Sequence, residues 1–442
     1  SARTATPSPA APTELRGRSD AATVPIGDSS DPGHSHYPAT QWVAHAHPPV
    51  PADWRQPVGT DGPRLWGVGL ALYGLRRVPL VAREPERQAL WSALRRAVSE
   101  RSCRAVVLRG SAGTGKSMLA RWLAELADEL GVATCLLATH RPDGSPGDGL
   151  APMIARHLKC VGLERPEVAL RVVNVLGLSG ESAGAATELI HPGTPGSDQR
   201  TVPFVRLQSA AQRLAAVRGV LVRAAIGRPL VIHVDDGQWG QAALDLVQGM
   251  IGAKHPVLFV VTVREEALNR SAADRLDRLR EQPCVDEVLV APLEGAARGA
   301  LVQELLGLEE SLAEQIESRT AGVPLFAVQL VGDWVRRGIL EVGNAGFRLR
   351  TGAKASLPDN LHDLWMGRLE YLLTDRSADD RPALEVAALL GPRVDGAEWQ
   401  AACEHLQIHP SAGLLDAMVR SDLGRRLDPP DWAFAHGMLG ES

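Results

Sequence analysis

From residue 84 onward, short apolar runs alternate with amphipathic stretches. The first stretch is Glu84–Ser99, with apolar residues at helical spacing. Strand-like runs follow at 105–108, 132–138, 230–234, 257–263 and 285–290, with helix-like stretches between them at 116–130, 204–226, 240–251 and 273–280. Strands that alternate with helices predict a parallel sheet covered on both faces. The pattern weakens at 141–200, where Gly, Pro and Asp cluster; helices at 150–157 and 165–176 and a mobile loop are expected there. After Pro292 the strand signal stops. Helical periods at 296–306, 309–320 and 323–338 predict a small helical domain. Further helices at 361–373, 381–390, 395–403 and 412–421 precede a hairpin-like stretch, "RRLDPPDWAFAH", an order that suggests a winged helix. The predicted organisation is a linker over 1–62, an α/β core over 63–292, a helical domain over 293–355 and a winged-helix-like domain over 356–442, read as incomplete.

Composition changes this picture little. The 442 residues exceed what one core holds, and the formal charge of −5 gives no global pull toward nucleic acid or an anionic membrane. Residues 1–62 are rich in Pro, Ala, Ser and Thr without any period, and read as disordered. The five cysteines form no C-x-x-C pair, so neither zinc nor a disulfide framework is indicated, and a reducing cytosol is the expected compartment. The apolar runs are too short to span a bilayer. The sequence begins at Ser1 without a methionine and reads as a piece of a longer protein. Of its 47 basic residues only four are lysines, which makes Lys116 conspicuous.

Lys116 lies in Gly110-Ser111-Ala112-Gly113-Thr114-Gly115-Lys116-Ser117, the pattern G-x-x-x-x-G-K-S between an apolar strand and an amphipathic helix. Such a loop turns its backbone amides inward to cradle phosphates, and its glycines let the main chain come close. Lys116 would reach the β and γ oxygens, and the Ser117 hydroxyl would ligate Mg²⁺. A carboxylate for the metal is expected nearby. "RPLVIHVDDGQWG" supplies it: Asp235 ends an apolar strand and would hold the metal, and Asp236 would orient or deprotonate the attacking water. The plainer alternative is that the two aspartates end a strand and cap the next helix. A third strand ends in "LFVVTVREE", which puts Arg264 at the same sheet edge as a candidate sensor of the γ-phosphate; pairing with Glu265 or Glu266 is the alternative. The catalytic candidates are therefore Lys116, Asp236 and Arg264.

With these motifs in order, the chain resembles the STAND branch of the AAA+-related P-loop ATPases, modules of large bacterial regulators that are fused to Ser/Thr kinases, adenylate cyclases or LuxR-type proteins. "VPLVAREPE" (residues 78–86) resembles that family's N-terminal signature, an apolar pair followed by Gly-Arg-Glu, with Ala82 in the glycine's place. "DDGQW" resembles its acidic motif, "TAGVPLF" its Gly-x-Pro signature and "FAH" its winged-helix histidine segment. The resemblance implies that Pro324 packs beside the adenine, that His436 approaches the phosphates of ADP, and that ATP with Mg²⁺ drives a switch with slow hydrolysis. An unidentified protein partner or effector domain is implied, and a nucleotide-dependent homo-oligomer stays open. Without an N-K-x-D guanine motif, ATP is favoured over GTP. Two other readings are kept: the regulatory tail of a kinase whose catalytic domain lies upstream, and a winged-helix nucleic-acid regulator using Arg420, Arg425 and Arg426. No H-R-D or D-F-G motif is present, and acidic residues interleave with those arginines.

Overall fold

The computed structural model describes residues 47–55, 80–142, 147–193, 201–343, 347–351, 358–391 and 393–442. The described residues all fall within one compact unit. Helix α1 (Glu84–Ser99) leads into strand β1 (Arg104–Gly110), helix α2 (Lys116–Glu129) and strand β2 (Thr134–Thr139). Helices α3 (Leu150–His157), α4 (Arg165–Leu176), α5 (Gly180–Ile190) and α6 (Ala210–Gly227) follow. The core closes with β3 (Leu230–Asp235), α7 (Gln241–Met250), β4 (Val257–Arg264), α8 (Arg270–Arg280) and β5 (Val285–Leu289).

The five strands pair in the order β2-β3-β4-β1-β5, every pair parallel. Alternation within each strand feeds two cores. Val106, Leu108, Val231, Leu258 and Val260 pack with α1 and α2 on one face. Ala105, Val107, Ile232, Val234, Phe259 and Val261 pack on the other, with α3 to α8. This is the P-loop α/β fold. Its strand order reverses at β1, so the loop after β1 opens into the crevice where such sheets bind ligands.

The insert is more ordered than its composition suggests. Residues 147–193 contain three helices, and Val168, Val172, Leu176 and Ala183 sit in the main core. The loop expected there falls largely outside the described residues. So does the linker over 1–62, except for 47–55. That segment packs: the indole nitrogen of Trp91 donates to the Pro51 carbonyl at 2.9 Å, and Trp54 meets Trp122 edge-on, ring centres 5.1 Å apart. A disordered reading fails there because two tryptophans supply the burial that the prolines do not.

After the sheet come α9 (Ala296–Leu305), α10 (Glu310–Thr320) and α11 (Pro324–Arg336), then a two-stranded pair, β6 (Leu340–Val342) and β7 (Phe347–Leu349). The C-terminal part runs α12 (Leu361–Leu373), α13 (Asp380–Leu390), β8 (Arg393–Val394), α14 (Gly396–His405), α15 (Leu414–Arg420), β9 (Gly424–Arg426), β10 (Trp432–Phe434) and α16 (Gly437–Glu441). Its three strands form an antiparallel sheet in the order β8-β10-β9. A separate apolar cluster around Trp365, Trp432 and Phe434 holds it together. No helix among the described residues is long and apolar enough to cross a membrane.

Candidate nucleotide-binding site

The loop Gly110–Ser117 joins β1 to α2, and its glycines answer to geometry. Gly110 has φ 148°, and a Cβ there would lie 2.4 Å from the Val290 carbonyl oxygen. Gly113 has φ 79°, and a Cβ would press on Leu325 at 3.0 Å. Gly115, at φ 102°, precedes the first turn of α2. Lys116 is buried, and its ammonium donates to the carbonyls of Gly110 at 2.8 Å and Ser111 at 2.6 Å. Burial lowers its pKa from the usual lysine value, opposed by the negative charges of Glu266, Asp236 and Asp235.

Strand β3 delivers Asp235 beside this loop. The Ser117 hydroxyl donates to Asp235 Oδ1 at 2.7 Å, and the Thr262 hydroxyl of β4 donates to the same oxygen at 2.7 Å. Burial pushes the Asp235 carboxyl up, but the adjacent His233 ring and the two hydroxyls outweigh it and hold the group far below the usual carboxylate range. An ionised carboxylate hydrogen-bonded to a hydroxyl is a set of hard oxygen donors. That set fits Mg²⁺, which takes few protein ligands and keeps waters and phosphate oxygens for the rest. No cluster of three or more His, Cys, Asp or Glu side chains arranged for a metal occurs among the described residues.

Asp236 takes a left-handed backbone, φ 53°, and its amide donates to Thr262 Oγ1 at 2.9 Å. Its carboxylate is engaged by Arg264 through two bonds, Nε at 3.0 Å and Nη2 at 2.7 Å. Gln238, fully buried, donates to Asp236 Oδ1 at 3.2 Å and accepts from the Arg264 amide at 3.2 Å. The Arg264 guanidinium also lies 4.9 Å from the centre of the Trp239 ring. Arg264 therefore pairs across the strands with Asp236. Its neighbours go elsewhere: Glu265 binds Arg109 at 2.6 Å, and Glu266 accepts from the Ala112 amide at 2.8 Å.

Two further segments close on the loop. The amide of Leu325, at the start of α11, donates to the Gly113 carbonyl at 3.2 Å, so the stretch holding Pro324 abuts the phosphate loop. Gly322, at φ 78°, is required there, because a Cβ would lie 2.0 Å from the Leu293 carbonyl oxygen. Ahead of α1, Ala82 and Arg83 both have positive φ, 56° and 72°. The position where the signature carries glycine does take the glycine-like backbone, with alanine adopting it. The buried Arg83 guanidinium donates to the carbonyls of Thr114 at 3.1 Å and Ala291 at 2.5 Å and bonds Glu86 at 2.9 Å, bracing the loop from behind.

The C-terminal part reaches the same edge. Arg264 Nη1 lies 3.3 Å from Glu441 Oε1. His436 stacks near Trp365, ring centres 5.5 Å apart, and its buried Nδ1 has no hydrogen-bond partner among the described residues. Burial lowers its pKa, aided by the charges of Arg264 and Arg425 and opposed by that of Asp236. All the residues expected from sequence thus converge on one sheet edge. Sequence reasoning missed Thr262, Gln238, Glu266 and Glu441. Thr262 did leave a trace, as the one polar residue inside the run 257–263.

The family model for the AAA ATPase domain matches residues 79–261. Over that stretch the chain is similar to AAA ATPase domains. No curated protein matches it. Among solved structures, a signal transduction ATPase with numerous domains (STAND) protein with a tetratricopeptide repeat sensor from Pyrococcus horikoshii is 14% identical, with a TM-score of 0.39. That alignment covers 83% of this chain and 42% of the Pyrococcus protein, so the chain spans less than half of that protein's length. Cdc6p from Pyrobaculum aerophilum is 12% identical with a TM-score of 0.39, covering 85% of this chain and 96% of that one. The ORC1 protein of Aeropyrum pernix, solved in complex with DNA, is 15% identical with a TM-score of 0.37, covering 83% and 92%.

Proposed function

We propose that this chain is an ATP-driven signalling switch, one module of a larger bacterial regulator, which binds ATP with Mg²⁺ and hydrolyses it slowly. The observation that carries this reading is the 2.7 Å hydrogen bond from Ser117 to Asp235, which joins the phosphate loop to the acidic strand end. Ser117 and Asp235 would hold Mg²⁺. When bound, the ion neutralises charge on the β and γ oxygens. Lys116 and the amides of 113–117 grip the phosphates, and Pro324 lies where the helical domain closes over the loop.

Asp236 and Arg264 have a shared condition. While joined to each other, neither is free to meet a water or a terminal phosphate. Hydrolysis therefore requires Arg264 to turn from Asp236 toward the γ-phosphate, which releases the Asp236 carboxylate to orient water. A step that needs a paired carboxylate and guanidinium to separate first is expected to be slow. The same movement strains the contact of Arg264 with Glu441, so the nucleotide state is felt by the C-terminal part. We read that part as a winged helix acting as an interdomain clamp, since its order from α13 onward is helix, strand, two helices and a two-stranded hairpin. The nucleic-acid reading finds less support: Arg426 is paired with Asp416, and the charge of Arg425 acts on His436.

Lys116→Ala tests the assignment. It should weaken ATP binding by about 100-fold or more, since a buried ammonium on phosphate is among the strongest polar contacts. Unchanged binding by calorimetry refutes the loop assignment.

A further inference from the structure

The turn after β4 sends three charged side chains in three directions. Arg264 goes inward to Asp236, and Glu265 goes outward to Arg109. Glu266 goes to the phosphate loop itself, its Oε1 accepting from the Ala112 amide at 2.8 Å. Ala112 is two residues past the end of β1 and four before the start of α2. Glu266 is also the strongest of the three carboxylates that act on the buried Lys116 ammonium, ahead of Asp236 and Asp235. One carboxylate thus performs two tasks that belong to a phosphate in such a loop: it satisfies a backbone amide of the loop, and it balances the lysine.

We propose that Glu266 is a built-in anion that competes with the terminal phosphate of a nucleoside triphosphate for the Ala112 amide and the field of Lys116. The inference rests on the nucleotide-binding reading above and sharpens it. A triphosphate must expel Glu266 from the loop. A diphosphate, held by the amides at the start of α2, leaves it in place. Glu266 then sets the preference between the two, penalising ATP and sparing ADP. It also explains why two adjacent glutamates behave differently. Glu265 already has the Arg109 guanidinium, whereas Glu266 bonds a backbone amide. Expulsion of Glu266 pulls on a turn whose other end carries Arg264, so arrival of the third phosphate is reported to Asp236 and Glu441.

The test compares the full chain with its Glu266→Gln and Glu266→Ala variants, each titrated by calorimetry with ADP and with a non-hydrolysable ATP analogue in Mg²⁺ buffer. Glu266 is exposed, so neither variant threatens folding. The Ala variant is expected to bind the analogue about tenfold more tightly while its ADP affinity changes less than about twofold. The Gln variant, which keeps an acceptor without the charge, should fall between it and the wild type. An unchanged ratio of the two affinities overturns the proposal. So does a loss of turnover with both affinities intact, which would make Glu266 a catalytic residue. Lys116→Ala, measured in parallel, separates the two failures. If it binds both nucleotides like the wild type, the loop assignment itself is wrong. If it loses both while the Glu266 ratio stays flat, only the competing-anion proposal falls.

Discussion

Two regions meet at Arg264, and they grip it differently. On the sheet side Ser117, Asp235 and Thr262 are joined by bonds of 2.7 Å, Gln238 is fully buried, and Asp236 holds the guanidinium through two bonds. On the C-terminal side the Glu441 carboxylate lies 3.3 Å away on a side chain that is 54% exposed, and His436 keeps a buried nitrogen without a partner among the described residues. The first region is a closed network in low dielectric, where each member depends on the others. The second is a loose contact that salt and solvent weaken. Metal binding at Ser117 and Asp235 needs fixed positions and a switch needs a contact that can break, so the difference matches the two tasks proposed for them.

The sharpest way to break the comparison is Thr262→Val. The hydroxyl donates to Asp235 and accepts from the Asp236 amide, so its removal takes the partner from a partly buried N–H. The shape is conserved, and the loss is polar. Stability in urea should fall by about 2 kcal/mol, the usual cost of orphaning a partly buried group together with a charged hydrogen bond. Mg²⁺-dependent nucleotide binding should weaken with it. A fall under about 0.5 kcal/mol would show that the network is no tighter than the C-terminal contact.

Why one region was legible in the sequence and the other was not follows from the same contrast. The phosphate loop, Asp235 and Arg264 lie at strand ends, and the strands announce themselves as apolar runs; their predicted bounds differ from the observed ones by only a few residues. Cross-strand pairing was less visible. Local spacing offered Arg264 only Glu265 and Glu266, whereas the pairing of β3 with β4 delivers Asp236. Helix α5 escaped because "GESAGAATELI" has few large apolar residues to set a period. Its Gly184 is explained only in three dimensions, by a Pro203 carbonyl 2.3 Å from where a Cβ would stand. The segment 47–55 escaped for a similar reason, since Trp54 finds Trp122 only once α1 and α2 are packed. Glu441 carries no signal at all, and Glu266 entered only as a possible partner of Arg264, because charged surface residues abound and only the fold selects these two.

Acid should affect the two regions unequally. His436 has its pKa lowered, so the folded state favours the neutral ring. Below its ordinary value of 6.5, the unfolded chain takes up a proton that the folded chain resists, so stability is full above that pH and declines as the pH drops. His140 and His157, both partly buried, act in the same direction. The melting temperature followed from pH 7.5 to 5.5 should therefore decline, and His436→Phe should remove part of the decline while leaving the share of His140 and His157. A variant with the wild-type slope would mean that His436 is not held neutral against Arg264 and Arg425, and the C-terminal region would lose its claim to a sensitive contact.

The smallest effect is expected at Glu441, and it is the one that tests whether the contact is loose. Glu441→Gln keeps the size and removes the charge that faces Arg264. Because the carboxylate is largely solvated, the change in stability should stay within about 1 kcal/mol at low salt and vanish as added salt screens the pair. Amide exchange in 424–441 should quicken in the variant, while exchange in β3 and β4 stays as it was, since Asp236 retains its two bonds to Arg264. A loss above about 2 kcal/mol that survives high salt would place Glu441 in the closed network, outside the range of an exposed pair. In that case the C-terminal part could not leave Arg264 without disrupting the sheet edge, and a switch that works by breaking this contact would be ruled out on energetic grounds.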